Sequence, residues 1–352
     1  MKGRGARSNL SGRFEADRRE DFDDGWQDGD QDLPPLRTSL SVERARTIIT
    51  RNTSPDVGFD RSINPYRGCE HGCTYCYARP AHAYMGLSPG LDFESRLFFK
   101  PDGARLLEPE LSKPRYRPQP IHIGGNTDAY QPVERQTGLT RQILEVLQRF
   151  NHPLSIITKS ALIARDADIL GPMGRKGLAR AAISITTLDR KLARAMEPRA
   201  ATPAKRLEAI SRLTEAGCPV MVSLAPVIPG LNDHELEAIL EASQKAGAIS
   251  ATYVTLRLPL EIKDLFREWL EDARPERAAR VMALIRQTRG GKDYDPEWSQ
   301  RMKGTGPLAD LIATRFKAAK KRYGLDAPRP PLDTSQFTVP PRSGDQIDLF
   351  SH

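Results

Sequence analysis

The sequence predicts an α/β fold: a parallel sheet of about six strand–helix units, set between two disordered tails. Three observations point there. Short apolar runs of the buried-strand kind alternate with amphipathic helical stretches, and consecutive units of this kind pair in parallel. The chain has 352 residues, room for a barrel of ~200–250 residues plus extensions. Only 39% of the residues are apolar, so part of the chain is too polar to join a core, and the polar excess lies at the ends.

Residues 1–40 mix Arg, Asp and Glu with few apolar side chains and carry an acidic run containing Glu20, Asp21, Asp23, Asp24, Asp28, Asp30 and Asp32. Such a composition reads as disordered, and without an apolar h-region it is no signal peptide. Residues 41–60 form a lead-in with Ile48 and Ile49 as anchors. The core spans 41–290. Its first strand covers 57–64 and a short helix 76–85, despite Pro80. A strand at 120–124 precedes a helix at 133–150, where Leu139, Ile143, Leu144, Val146 and Leu147 fall close to helical spacing. A strand at 154–158 and a helix near 162–170 follow, then a strand at 181–185. Thr202 as N-cap and Pro203 at the first helical position start the next helix, which Gly217 ends. A strand at 219–224 leads to a helix opened by a capping box of Asn232 and Glu235 and closed by Gly247. The last strand is 252–258, with helices at 263–289. A polar connector and a helix at 308–323 with a basic end make an extension over 291–325. Residues 326–352 are Pro-rich and read as a disordered tail.

No window of ~20 apolar residues exists, so the sequence offers no membrane span. Net charge is +8, which permits nucleic acid as a partner, although many soluble proteins are as basic without binding it. Three of the four cysteines crowd into one loop, which argues against a disulfide scaffold and for a reducing cytoplasm.

Those three, Cys69, Cys73 and Cys76, are spaced C-x3-C-x2-C. Three thiolates on one loop can hold three corners of a cubic iron–sulfur cluster. The fourth iron is then open, as a catalytic metal centre requires. Gly68 and Gly72 let the backbone wrap closely around a bulky inorganic core. The alternative is a zinc site completed by His71 or His82. Structural zinc sites usually carry two paired C-x2-C or C-x2-H units, and no second pair is present.

The spacing, with Tyr75 between the last two cysteines, resembles the C-x3-C-x-aromatic-C signature of the radical S-adenosylmethionine (SAM) superfamily. The resemblance implies a partial (β/α)6 barrel, a [4Fe–4S] cluster, SAM bound at the open iron, and an electron donor of the flavodoxin or ferredoxin type. The implied activity is reductive cleavage of SAM to a 5′-deoxyadenosyl radical, which takes a hydrogen atom from substrate. The segment Gly124-Gly125-Asn126-Thr127-Asp128-Ala129-Tyr130-Gln131-Pro132 resembles the second-strand loop of the spore photoproduct lyase-like branch of that family. By this likeness Tyr75, Gly124, Asn126, Thr127, Asp128, Lys159, Ser184 and Arg199 contact SAM, with Lys159 holding its carboxylate. Residues 226–233 partly resemble the segment that packs adenine, and the backbone of 253–256 adds to it. The branch implies DNA as a target. One departure limits the likeness: no cysteine stands within 121–128, where spore photoproduct lyases carry a hydrogen donor, and Cys218 reads as a small buried residue. His122 and His152 read as structural. Two other readings stay open, a radical SAM enzyme modifying RNA, peptide or a small molecule, and a non-catalytic clamp-associated iron–sulfur or zinc protein. The second comes from Gln346-Ile347-Asp348-Leu349-Phe350, which resembles the peptide that docks repair proteins on the DNA sliding clamp. There Leu349 and Phe350 would fill an apolar pocket and Gln346 would set register.

Overall fold

Ten strands organise the described residues, which in this computed structural model are 3–15, 17, 36–328 and 331–341. They are β1 (Ser39–Val42), β2 (Ile49–Arg51), β3 (Arg61–Ile63), β4 (Tyr66–Arg67), β5 (Arg96–Phe99), β6 (Ile121–Ile123), β7 (Leu154–Thr158), β8 (Ala179–Ser184), β9 (Val220–Val227) and β10 (Ser250–Thr255). The larger sheet has the order β10-β9-β8-β7-β6-β3-β2. All its neighbours are parallel except β2, which lies antiparallel on β3. The six parallel strands are the six predicted units, and among the described residues the sheet keeps two free edges, so the barrel is partial.

The strands alternate by face, as their two-residue period requires. Ile121, Ile123, Leu154, Ile156, Ile183, Val222 and Leu224 point into a core shared with Ile143, Leu147, Leu170, Ile210, Leu213 and Leu240 of the covering helices. The helix Leu139–Arg149 carries the predicted apolar stripe. The opposite face presents His122, Ser155, Arg180, Ala182, Met221, Ser223, Ser250 and Thr252 to a cavity of ≈ 580 Å³. Side chains this small or polar leave the concave face unfilled.

The smaller sheet, β1-β5-β4, was not read from the sequence. Its strands have four, four and two residues, too short to show a period. Two of its strands, β4 and β5, are inserted in the chain between β3 and β6, while β1 precedes β2, and β4 leads directly into the cysteine loop.

Two stretches differ from the expectation of unstructured tails. Arg4 and Ala6 are buried, and residues 4–6 hydrogen-bond to Glu94. Phe337 packs against the rings of Tyr116, Phe150 and His152. The acidic run at 20–32 and the clamp-like peptide with Gln346, Leu349 and Phe350 lie outside the described residues. Among the described residues no helix is long and apolar enough to cross a membrane. The helix after Thr202 starts at Pro203 as predicted, but the threonine side chain makes no capping bond.

Candidate active site

The cysteine loop leaves β4 at the ends of the barrel strands from which their helices depart. Its first turn is fixed by backbone bonds from Cys69 N–H to the Phe93 carbonyl (2.9 Å) and from Thr74 N–H to the Met196 carbonyl (3.1 Å). Gly68 and Gly72 have φ of +74° and +66°. A Cβ at Gly72 would stand 2.5 Å from Glu94 Oε2, and one at Gly68 would stand 2.8 Å from the Phe93 carbonyl oxygen. Glycine is therefore required at both positions by conformation and by space.

Two fully buried ions brace the loop from behind. Arg79 donates from Nε to the Cys73 carbonyl (2.9 Å), from Nη1 to the carbonyls of Pro89 and Gly90, and from Nη2 to Glu94 Oε1 (2.5 Å). Glu94 also accepts the amides of Gly5 and Ala6. Gln131, from the second-strand segment, accepts the Glu70 amide (2.8 Å) and donates to the Gly68 carbonyl (3.1 Å).

Cys69 and Cys73 are buried and Cys76 partly so. Burial pushes all three thiols up, and Cys69 is raised further by Asp128, Cys73 and Cys76. Lys159 works in the other direction on Cys73 and Cys76. The thiols are thus protonated without a metal, and metal loading must release protons. Among the described residues no three His, Cys, Asp or Glu side chains converge on a single-ion site. His71 Nδ1 instead faces Asp128 at 3.3 Å, and His82 Nε2 meets the Arg96 carbonyl at 3.0 Å. Each histidine thus has one ring nitrogen engaged within the fold, and among the described residues no second Cys or His pair joins the loop. Three thiols on one glycine-turned loop fit a cluster with an open iron better than one tetrahedral ion.

The predicted SAM residues fall into three groups, with Arg199 apart from them. Gly124 (φ +84°) turns the chain where a Cβ would lie 2.6 Å from the Ile157 carbonyl oxygen, and Asn126 lines the cavity. Thr127 and Asp128 are instead bonded within the fold. Thr127 Oγ1 donates to the Tyr66 carbonyl at 2.8 Å. Asp128 accepts from Thr158 Oγ1 (2.7 Å) and from the amides of Lys159 (2.8 Å) and Tyr130 (2.9 Å), and it faces His71. One carboxylate thereby ties β7, the second-strand segment and the cysteine loop together. Burial alone would raise this carboxyl, but His71 and the hydrogen bonds outweigh it and hold it at about 2. The folded value lies below the ordinary 3.8. The stabilisation, ~2–3 kcal/mol, is therefore complete above pH ~4 and lost as pH falls towards 2. In Asp128→Asn we expect a lower urea midpoint at pH 7 and a gap to wild type that closes on acidification; a gap independent of pH would refute this role.

The third group gathers at the β8 end. Lys159 Nζ stands 5.8 Å over the Tyr75 ring. The Tyr75 hydroxyl donates to buried Glu197, which also accepts from Thr186 (2.9 Å) and pairs with Arg206. Arg206 Nη1 reaches the Ser184 carbonyl (2.9 Å), and Ser184 Oγ contacts the Ala225 carbonyl at 3.3 Å. Burial would raise the Glu197 carboxyl; Arg206 and Lys159 hold it low. Arg199 is set apart: it pairs with Glu70 Oε1 (3.1 Å) and its amide bonds the His71 carbonyl. The predicted capping box is replaced by other bonds. Asn232 accepts the Ile228 amide and donates to the carbonyls of Thr186 and Pro226, tying the β8 and β9 ends together. Glu235 accepts from Thr187 Oγ1 and the Leu188 amide.

Sequence reading missed Arg79, Glu94 and Arg206, although charge inside otherwise apolar stretches could have flagged them. It also missed the cavity wall. Tyr77 donates to the Gly125 carbonyl and has Arg257 5.4 Å above its ring. Phe59 stacks on His122 at 4.2 Å, so His122 lines the cavity as well as the sheet.

Residues 63–242 match the Radical SAM superfamily. A Mycobacterium bovis protein described as uncharacterized is 34% identical over 284 residues, covering 80% of each chain. A Methanocaldococcus jannaschii protein described likewise is 29% identical over 241 residues, 68% of this chain and 86% of that protein. Among solved structures, spore photoproduct lyase complexed with dinucleoside spore photoproduct superposes with a TM-score of 0.56 at 18% identity, over 81% of this chain and 78% of that one. This last likeness is one of fold.

Proposed function

Because the chain belongs to the radical SAM superfamily, we propose that it is an enzyme that abstracts hydrogen from a nucleic-acid base or sugar admitted to the barrel lumen. Its cofactors are a [4Fe–4S] cluster and SAM, and in this reading Cys69, Cys73 and Cys76 hold the cluster. When bound, the two together supply a 5′-deoxyadenosyl radical.

The chain's own residues place and shield that chemistry. The turn at Gly124 offers close backbone approach, Lys159 offers a cation for the SAM carboxylate, and Asn126, Tyr75 and Ser184 complete the pocket. Thr127 and Asp128 act by positioning these groups. Arg199 steadies the cysteine loop through Glu70.

The observation that carries the substrate class is the lumen. It is lined by Phe59, Tyr77, Arg180 and Arg257, with Arg301 held in an ion pair with Asp56, and runs alongside Gly125 and Asn126. Flat aromatic faces with guanidinium groups complement a base and its phosphate. The fold likeness to a lyase with a bound dinucleoside supports the same class. Reversal of the spore photoproduct itself is not proposed. No cysteine stands in 121–128, and Cys218 is buried just before β9, at the opposite end of that strand from the cysteine loop.

The test is anaerobic SAM cleavage by the reconstituted full chain, with and without ultraviolet-damaged DNA, undamaged DNA and RNA. We expect 5′-deoxyadenosine to form several-fold faster with one of the nucleic acids. Equal rates in every case would sink the nucleic-acid assignment, and no 5′-deoxyadenosine under dithionite would sink the enzyme itself.

A further inference from the structure

A second hollow, of ≈ 430 Å³, shares no residue with the lumen and is walled by four arginines, Arg4, Arg135, Arg194 and Arg199. Four guanidinium groups around one concavity repel one another unless anions stand among them. Among the described residues few stand there. Arg199 pairs with Glu70. Arg4 is buried and donates to the carbonyls of Glu94 and Leu36 and to Thr38 Oγ1. Arg194 donates to the Pro198 carbonyl (2.8 Å). The exposed Arg135 side chain has no partner among the described residues. Burial and the neighbouring Arg199 weaken the hold of Arg4 on its proton, and the carboxylates of Glu94 and Glu70 offset this only in part.

The place of the hollow matters as much as its charge. Arg199 contacts Glu70 and His71, the residues that follow Cys69. Gly5, next to Arg4, lies so close to the loop that a Cβ there would stand 1.7 Å from the Gly72 carbonyl oxygen. The 70–72 stretch, which joins two of the cysteines covalently, therefore lies behind residues that wall the hollow.

We propose that this hollow docks a small acidic one-electron donor protein, which reduces the cluster through the Glu70–Gly72 backbone. The proposal rests on the cluster reading above. The donor loses one electron and the cluster gains one, with no bond made or broken. Charge complementarity selects an acidic partner and speeds its approach. The chain's own acidic run at 20–32 lies outside the described residues, and a nucleic-acid backbone is another polyanion this hollow would attract. It is disfavoured because the substrate is assigned to the lumen, and substrate and donor must be bound together.

The test uses the full-length reconstituted protein and the double variant Arg135→Glu/Arg194→Glu, both at exposed positions. SAM cleavage is driven in parallel by dithionite, which needs no docking, and by reduced flavodoxin. Flavodoxin affinity is measured separately by calorimetry, and iron content checks loading. We expect the variant to keep its iron and its dithionite-driven rate within twofold. Its flavodoxin-driven rate should fall at least tenfold, with flavodoxin binding weakened by a similar factor. The wild-type flavodoxin-driven rate should drop between 0.05 and 0.3 M salt while the dithionite-driven rate does not. An unchanged flavodoxin-driven rate overturns the proposal. So does equal loss with both reductants, or a loss confined to stimulation by nucleic acid. No cleavage by wild type under dithionite defeats the cluster reading instead, and the docking proposal with it.

Discussion

Cys73→Ala, reconstituted anaerobically, is expected to retain under a tenth of the wild-type iron and sulfide and to release no 5′-deoxyadenosine under dithionite. The fold should survive. The Cys73 carbonyl accepts from Arg79 and the Thr74 amide bonds Met196, and the substitution disturbs neither backbone bond. What is lost is one of three thiolates. Two cannot hold a cubane whose fourth iron already lacks a protein ligand. Native-like circular dichroism with absent visible absorption near 400 nm would confirm a specific loss of ligation. A variant with full iron and cleavage would show that the three cysteines are not the ligand set.

Arg79→Met is expected to cost about 3–5 kcal/mol of folding stability, the usual penalty for leaving one partner of a buried ion pair uncompensated. Arg79 and Glu94 are both fully buried. Without the guanidinium, Glu94 keeps among the described residues the amides of Gly5 and Ala6, and the carbonyls of Cys73, Pro89 and Gly90 lose this donor. Urea denaturation of the metal-free protein measures the loss directly. Adding Glu94→Gln to Arg79→Met should recover part of it, because the stranded charge disappears. A change below 1 kcal/mol would mean that water reaches the pair and that the loop is braced elsewhere.

The order of strands and helices was legible because each barrel unit is a local pattern. The apolar run at 154–158 became β7 without change, and Pro203 opened its helix where its missing N–H costs nothing. The cysteine spacing was legible for the same reason, since a three-point ligand set on one loop is written in consecutive residues. Thr127 and Asp128 were legible as candidates, but their partners in the fold were not. A polar residue after a strand can reach a ligand or brace a neighbour, and the difference depends on distant partners such as Tyr66, His71 and Thr158.

The sequence by itself therefore determined the strand–helix alternation, the three thiols and the glycines at 68, 72 and 124. All are properties of backbone conformation or of residues near in the chain. Only the tertiary structure decided that Arg79 and Glu94 share a buried charge, that residues 4–6 cross behind the cysteine loop, that Phe59 and Arg257 wall the lumen and that four arginines from three separate regions ring one hollow. Those pairings join residues 15 to 198 positions apart. Burial makes them energetically decisive, because a charge removed from water must find its partner wherever the fold has brought one.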